Sequence, residues 1–231
     1  MSGAPTTRQT AALGTALVAL ALAATAVVWS SLSAEMAIHW DASGTADDTA
    51  GRAVGALLLP GVALTMLVTL LAVPRLDPLE ENFAQFRPAY NGFVLLLTSF
   101  FCALRGAVLA VNLDYAVPIT PLVVGFAGVL FVCVGLLLRV AEPNWFVGIG
   151  TPWTLSSETV WRRVHDIGGL LFVAVGGLTV VGTAVGVVAG VPWLGTAILV
   201  GGGIVVAVVT TDYSYYLYEK LDRPNDRPTS H

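Results

Sequence analysis

The sequence predicts an all-α polytopic membrane protein with about six transmembrane helices and one short amphipathic helix on the cytoplasmic side. Three observations predict it. Hydrophobic residues make up 56% of the 231-residue chain and charged residues only 11%, against about 25% charged in an ordinary soluble domain. The mean hydropathy is +0.79. The apolar residues are gathered into six runs, each near or above the roughly 20 residues a helix needs to cross hydrocarbon. A soluble domain is therefore excluded, and what separates the runs is loops. The net charge of −4 also excludes a basic surface for nucleic acid, and the hydrophobicity excludes disorder.

The first run, Ala11 to Trp29, is longer than the roughly 7 to 15 apolar residues of a signal peptide and is read as a helix. The others are Ala53 to Val73, Gly92 to Val111, Ile119 to Leu138, Ile167 to Val191 and Leu194 to Tyr216. Cys102 and Cys133 lie inside apolar runs and read as inert core thiols, not as a disulfide or metal framework. With the N-terminus in the cytoplasm, Arg8, Arg75, Arg87, Arg139, Arg162, Arg163, Lys220, Arg223 and Arg227 fall inside and Arg52 outside. That asymmetry is the positive-inside pattern, and an even number of spans puts both termini in the cytoplasm. Glu35, Asp41, Asp47, Asp48 and Asp114 make the outer face acidic. Gly182, Gly186 and Gly190 recur at every fourth position, and Gly201 to Gly203 open the last run. Such small-residue faces let helices approach closely, either within one chain or in a homo-oligomer.

Two units follow: residues 1–75, a two-helix unit carrying an outer loop, and residues 76–231, a four-helix unit carrying an inner tryptophan-rich loop. The outer loop reads Ile38-His39-Trp40-Asp41-Ala42-Ser43-Gly44-Thr45-Ala46-Asp47. His39, Asp41 and Asp47 are residue types that hold a cation or ligand. The same letters also make a turn whose Asp and Ser side chains bond their own backbone, with Trp40 resting at the interface. After the second run, Asp77-Pro78 reads as a helix start, and Leu79, Phe83 and Phe86 fall on one face of an amphipathic helix along the inner leaflet. The inner loop runs from Glu142 to His165. Pro and Gly break it into turns as far as Pro152, after which Ser156 or Ser157 caps a helix with Glu158 in its first turn. Trp145, Trp153 and Trp161 exceed what an interfacial belt needs, so this loop either covers the inner mouth of the bundle or presents a docking surface. Arg105 sits inside the third run, about 9 Å from its outer end. An intramembrane arginine marks either a structural ion pair, with Asp114 or Asp41 as partner, or a ligand or ion contact.

Taken together, the Ile38-to-Asp47 loop, the Arg75-Leu76-Asp77-Pro78 to Tyr90-Asn91 segment and the Asn144-to-Arg163 run resemble the SdpI family of prokaryotic membrane proteins. The family is named for immunity to the sporulation-delaying peptide toxin. The last motif, Asn144-Trp145-Phe146-Val147-Gly148-Ile149-Gly150-Thr151-Pro152-Trp153-Thr154-Leu155-Ser156-Ser157-Glu158 with Trp161-Arg162-Arg163, is the most specific. Gly150 replaces the family's usual arginine, and Val164 and Asp166 flank His165 where the family has a hydroxyl and a cation. Those changes remove groups that would meet an acidic or phosphate-like partner.

The resemblance implies a non-enzymatic immunity and signalling protein of the cell membrane. It implies contact with a secreted peptide toxin and with a cytosolic transcriptional repressor, the repressor being held at the membrane. The outer contact surface is read as His39, Trp40, Asp41, Gly44 and Asp47. The inner one is read as Asn144, Trp145, Phe146, Gly148, Thr151, Pro152, Trp153, Thr154, Ser156, Glu158, Trp161, Arg162 and His165. The lipid bilayer is the remaining partner, and no cofactor, metal or direct nucleic-acid contact is expected. The competing reading is a small solute or ion transporter or channel using Arg105. An intramembrane enzyme, with His165 paired to Asp166 or Glu158 as acid and base, lacks a recognisable nucleophile motif.

Overall fold

A computed structural model describes residues 5–41 and 44–221; Ala42 and Ser43 of the outer-loop motif, and Arg223 and Arg227 of the charge pattern, lie outside the described residues. Among the described residues six helices are long and apolar enough to cross a membrane, and the chain is an all-α polytopic membrane protein. Helix α1 spans Thr7–Val28, opened by a capping box in which Thr6 and Gln9 bond each other's backbone amides. Helix α2 is Arg52–Leu76, α3 is Glu80–Val111 and α4 is Ile119–Leu138. The short α5 is Pro152–Ser156, α6 is Glu158–Ala189 and α7 is Leu194–Leu221. Ser157 supplies the α6 N-cap, its hydroxyl accepting from the Val160 amide, and Gly190 ends that helix in the left-handed conformation at φ 72°.

Two expectations need correction. The segment after Pro74 is no separate helix along the leaflet: Glu80 to Tyr90 forms the first turns of α3, continuous with the third span. Asp77 does not cap it from the position before Pro78; the N-cap is Leu79. Apolar burial decides this, because Phe83 and Phe86 are fully covered and join Leu67, Tyr90, Val94, Leu137 and Ala141 in one cluster, while Leu79 is exposed. The outer loop is also more regular than a turn. Strands β1 (Glu35–Trp40) and β2 (Ala46–Gly51) form an antiparallel hairpin, with register shifts that leave Ile38 and Asp47 as extra residues.

Helices α3 and α6 each hold 32 residues, about 48 Å at 1.5 Å per residue, which is some 18 Å more than the roughly 30 Å of a hydrocarbon core. Both begin at the end of the bundle opposite the hairpin. The surplus turns form a framework there on which the Arg139-to-Ser157 segment folds.

Packing within the bundle relies on glycine. A Cβ on Gly135 would sit 2.5 Å from the Gly169 carbonyl oxygen, and one on Gly128 would sit 2.8 Å from that of Gly176. The two pairs are seven residues apart on both α4 and α6, so these antiparallel helices touch backbone to backbone over two turns. Gly182 faces Ile198 in α7, and Gly186 faces the Val191 carbonyl in the turn between α6 and α7, both within the chain. Buried threonines add few free polar groups, because Thr98, Thr179, Thr183 and Thr210 each donate to the carbonyl four residues back in their own helix. Pro74 lacks an N–H and so leaves the Leu70 carbonyl without its helical donor; the Tyr90 hydroxyl donates to that oxygen at 2.7 Å.

Candidate functional site

The two ends of the bundle carry the folded, non-spanning segments. At the hairpin end, Leu32, Met36, Ala56 and Leu109 form a small core that fixes the strands on α2 and α3. The Asn112 side chain, at the C-cap of α3, pairs with both backbone groups of Ala37: its Oδ1 accepts from the amide at 2.8 Å and its Nδ2 donates to the carbonyl at 3.1 Å. The Thr120 hydroxyl donates to the Asp41 carbonyl at 3.1 Å and ties the hairpin tip to α4. Gly55 lies so close to Met36 that a Cβ would approach its Cβ at 2.8 Å.

The predicted outer residues divide by role. Asp41 holds the turn, its Oδ1 accepting from the Thr45 amide at 2.9 Å and its carbonyl from the Gly44 amide at 3.0 Å. Gly44 supports that turn with φ +86°. His39 Nδ1 lies 2.5 Å from Asp47 Oδ1 on the exposed outer side of the hairpin. The structure thus pairs His39 with Asp47 and directs the Asp41 carboxylate to the turn; no group of three metal-ligating side chains occurs among the described residues. Trp40 is half-buried. Beneath the hairpin lies an apolar cavity of about 360 Å³, walled by Leu58, Leu104, Val108, Val123 and Val124 and rimmed by His39, Trp40 and Asp41. Its size falls in the lower range of ligand pockets, about 300 to 1,000 Å³.

At the opposite end, Asn144 is the hub of the loop. Its Oδ1 accepts from the amides of Phe146 and Val147 at 3.0 and 2.6 Å, and its Nδ2 donates to the carbonyls of Glu142 and Val147, both at 2.8 Å. His165 Nδ1 donates to the Trp161 carbonyl at 2.8 Å and its Nε2 accepts from the Ile149 amide at 3.0 Å. Donation at one nitrogen and acceptance at the other define a neutral imidazole protonated on Nδ1. Both nitrogens are thereby engaged with backbone, which leaves neither for the acid–base pairing with Asp166 or Glu158 that the enzyme alternative needs. Trp161 is buried, stacks on His165 at 3.9 Å between ring centroids, and donates from Nε1 to the Ala141 carbonyl at 2.8 Å. Gly148 passes over this stack at φ +154°, where a Cβ would sit 2.5 Å from His165 Nε2 and 2.6 Å from the Trp161 ring.

Thr151 caps α5, with Pro152 at its first position. Thr154 donates to the Ile149 carbonyl at 2.7 Å, and Thr151 donates to Ser214 of α7 at 3.0 Å. Trp153 packs against Tyr215, their ring centroids 5.2 Å apart. Glu158 and Arg162 form an exposed pair at 2.7 Å. Ser156 is exposed, and Trp145 and Phe146 project outward with more than half their surface free.

Arg105 is 1% exposed. Of the two alternatives for it, the structural ion pair with Asp114 or Asp41 does not form: its Nε and Nη2 donate to the Thr25 hydroxyl at 3.3 and 3.1 Å, and no ion pair among the described residues includes it. The sequence reading missed Asn112 and Thr120, which hold the hairpin end together, and Asn82 at the loop, and it read Asp77 as a helix start without its tie to the loop. Asp77 accepts from the Leu79 and Trp145 amides at 2.8 and 2.9 Å, and Asn82 donates to the Pro143 carbonyl at 2.8 Å. The available signal was polar side chains interrupting apolar sequence at the ends of runs.

Comparison with known proteins matches both ends. A model for a domain of unknown function (DUF1648) matches residues 16–64, covering most of α1, the hairpin and the first half of α2. The model of the SdpI/YfhL protein family matches residues 140–211, covering the loop, α6 and much of α7. The chain is 26% identical over 161 residues to "Immunity protein SdpI" of Bacillus subtilis (strain 168), spanning 69% of this chain and 74% of that protein. No solved structure matches. With both matched segments present in order on a bundle of six apolar helices, this chain is a multi-pass membrane protein similar to the SdpI family.

Proposed function

We propose that this protein confers immunity to a secreted peptide and signals its presence, binding the peptide at the hairpin end and a cytosolic repressor at the loop end. The observation that carries the reading is the apolar cavity under the hairpin, about 360 Å³ and rimmed by His39, Trp40 and Asp41. A hydrophobic peptide side chain has a place to bury there, beside polar groups that fix its orientation. The charge pattern supports placing the hairpin outside and both termini in the cytoplasm. On that orientation Trp145 and Phe146 face the cytosol as large exposed apolar groups, a form suited to a protein partner.

The connection between the ends runs through α4, which walls the cavity with Val123 and Val124 and lies backbone to backbone on α6. Helix α6 carries Trp161 and His165 under the loop. Occupancy of the cavity moves α4 along this glycine seam and changes the exposure of Trp145, a two-state shift. The test is to delete the gene, challenge cells with the peptide fraction of competitors' supernatants, and restore either the native gene or Val124→Trp, which fills the cavity. Sensitivity on deletion, relieved by the native gene and not by the variant, is the expected result. Unchanged sensitivity on deletion overturns the proposal.

A further inference from the structure

A second cavity, about 330 Å³, lies between α1 and α3 and is lined by Leu17, Leu20, Ala21, Ser99, Arg105 and Gly106 among others. It adjoins a neighbour of about 310 Å³ that shares Leu17, Leu20 and Ser99 and extends to Leu13 and Leu95. From Arg105 to Leu95 the α3 axis covers about 15 Å. The groove is therefore long, narrow and apolar, with a single cation at one end.

That cation has no counter-charge among the described residues. Arg105 is 1% exposed, and two of its nitrogens share the Thr25 hydroxyl, whose own proton goes to the Ala21 carbonyl at 2.9 Å. Its Nη1 is buried and has no hydrogen-bond partner among the described residues. A guanidinium presents paired donors that match a carboxylate or phosphate, and charges at membrane depth are normally paired. Arg105 also stands only about 9 Å from the hairpin end of α3, within reach of headgroup depth, while the groove runs from it toward the middle of the span.

We infer that this groove binds an anionic lipid, its acid group meeting Arg105 Nη1 and an acyl chain lying along Leu20, Leu17 and Leu13. A soluble anion would leave the apolar length of the groove unused. The acid group is the headgroup phosphate of a phospholipid or the carboxylate of a fatty acid. This inference does not depend on the peptide-binding proposal.

The test uses the full chain in nanodiscs of phosphatidylcholine supplemented with phosphatidylglycerol in one arm and oleate in another. Retained lipid is counted by native mass spectrometry. The expected result is one anionic lipid held per chain in one arm, which identifies the acid group. Retention falls roughly tenfold or more in Arg105→Gln and is kept in Arg105→Lys, which preserves the charge. Because Arg105→Gln also alters packing, Gly106→Leu provides an independent variant: nothing lies within 4 Å of a Cβ there, so the leucine fills the groove with Arg105 in place. Loss of retention in a normally folded Gly106→Leu protein supports the site. Equal retention by the native chain and Gly106→Leu, or no preference for anionic lipid over phosphatidylcholine, overturns it.

Discussion

Tyr90 and Pro74 sit on different helices and act on one carbonyl, which makes their energetic coupling measurable. The Leu70 oxygen receives no helical hydrogen bond from residue 74, because proline has no N–H, and the Tyr90 hydroxyl fills that place at 2.7 Å. Tyr90→Phe keeps the ring, which stands edge-on to Phe83 at 5.1 Å, and removes only the donor. A buried carbonyl left unsatisfied costs about 1 to 3 kcal/mol, while hydrogen bonds between membrane helices average nearer 0.6 kcal/mol and reach about 1.7. A loss of roughly 1 kcal/mol is expected from these ranges together. In a Pro74→Ala background the new alanine N–H bonds the Leu70 oxygen, and the cost of Tyr90→Phe falls below about 0.5 kcal/mol. The assay is a double-mutant cycle in bicelles, with unfolding by SDS titration followed through tryptophan fluorescence. Equal costs in the two backgrounds, within the roughly 0.3 to 0.5 kcal/mol expected of independent sites, would refute the shared-carbonyl account.

Three further substitutions probe the loop end. Gly148→Ala places a methyl group against His165 Nε2 and the Trp161 ring, so it should destabilise by about 1 to 3 kcal/mol and increase quenching of Trp161 fluorescence by acrylamide; an unchanged quenching constant contradicts the packing. Asp77→Asn turns a donor toward the Leu79 or the Trp145 amide, each now bonded to a carboxylate oxygen; a loss of about 1 kcal/mol and faster protease cleavage in the loop are expected, and native resistance argues against the tie. Gly150→Arg restores the cation usual in the family at a place with nothing within 4 Å of a Cβ. It should change stability by less than about 0.5 kcal/mol, and a larger loss in the same titration shows that Gly150 is needed for packing.

Hydropathy exposes the spans because each run is long enough to be decided by the bilayer alone. It fails where tertiary contact decides, as at Phe83 and Phe86. Their spacing shows an amphipathic face, yet helical spacing is the same whether that face meets lipid or the Leu67–Val94 cluster that covers it. The outer loop was legible as a turn, since Asp41 bonds the Thr45 amide, but not as a hairpin. Its β2 sequence, Ala46-Asp47-Asp48-Thr49-Ala50-Gly51, has little strand propensity, and the hairpin is tied to α3 through Asn112, 75 residues from its partner Ala37 in β1. The glycine seam between α4 and α6 went unread for a related reason, although Gly182 and Gly186 do make close contacts within the chain. A regular interval of four drew attention to Gly182, Gly186 and Gly190, whereas the α4/α6 contact uses Gly128 with Gly176 and Gly135 with Gly169, visible only when two helices are set side by side.

The polar residues of the loop motif are better understood as answers to a backbone problem than as a recognition surface. Non-helical backbone next to a bilayer needs internal partners for its N–H and C=O groups, and a chain with 11% charged residues has few side chains to provide them. Asn144 satisfies four backbone groups, counting Val147 twice. His165 satisfies two, and Asp77 another two. Trp161 caps the Ala141 carbonyl, and Thr154 reaches that of Ile149. These side chains are engaged within the chain, so substituting them loosens the loop before it alters any contact with a partner. Under the proposed function, what remains for recognition is the exposed set on the same scaffold: Trp145 and Phe146, with Ser156 at the end of α5 and Glu158 and Arg162 in the first turns of α6. Trp145→Ala is therefore the variant that separates the roles, because it leaves the Trp145 amide bonded to Asp77 while removing the projecting ring. Normal stability with lost signalling places partner contact at Trp145, and normal stability with normal signalling excludes it.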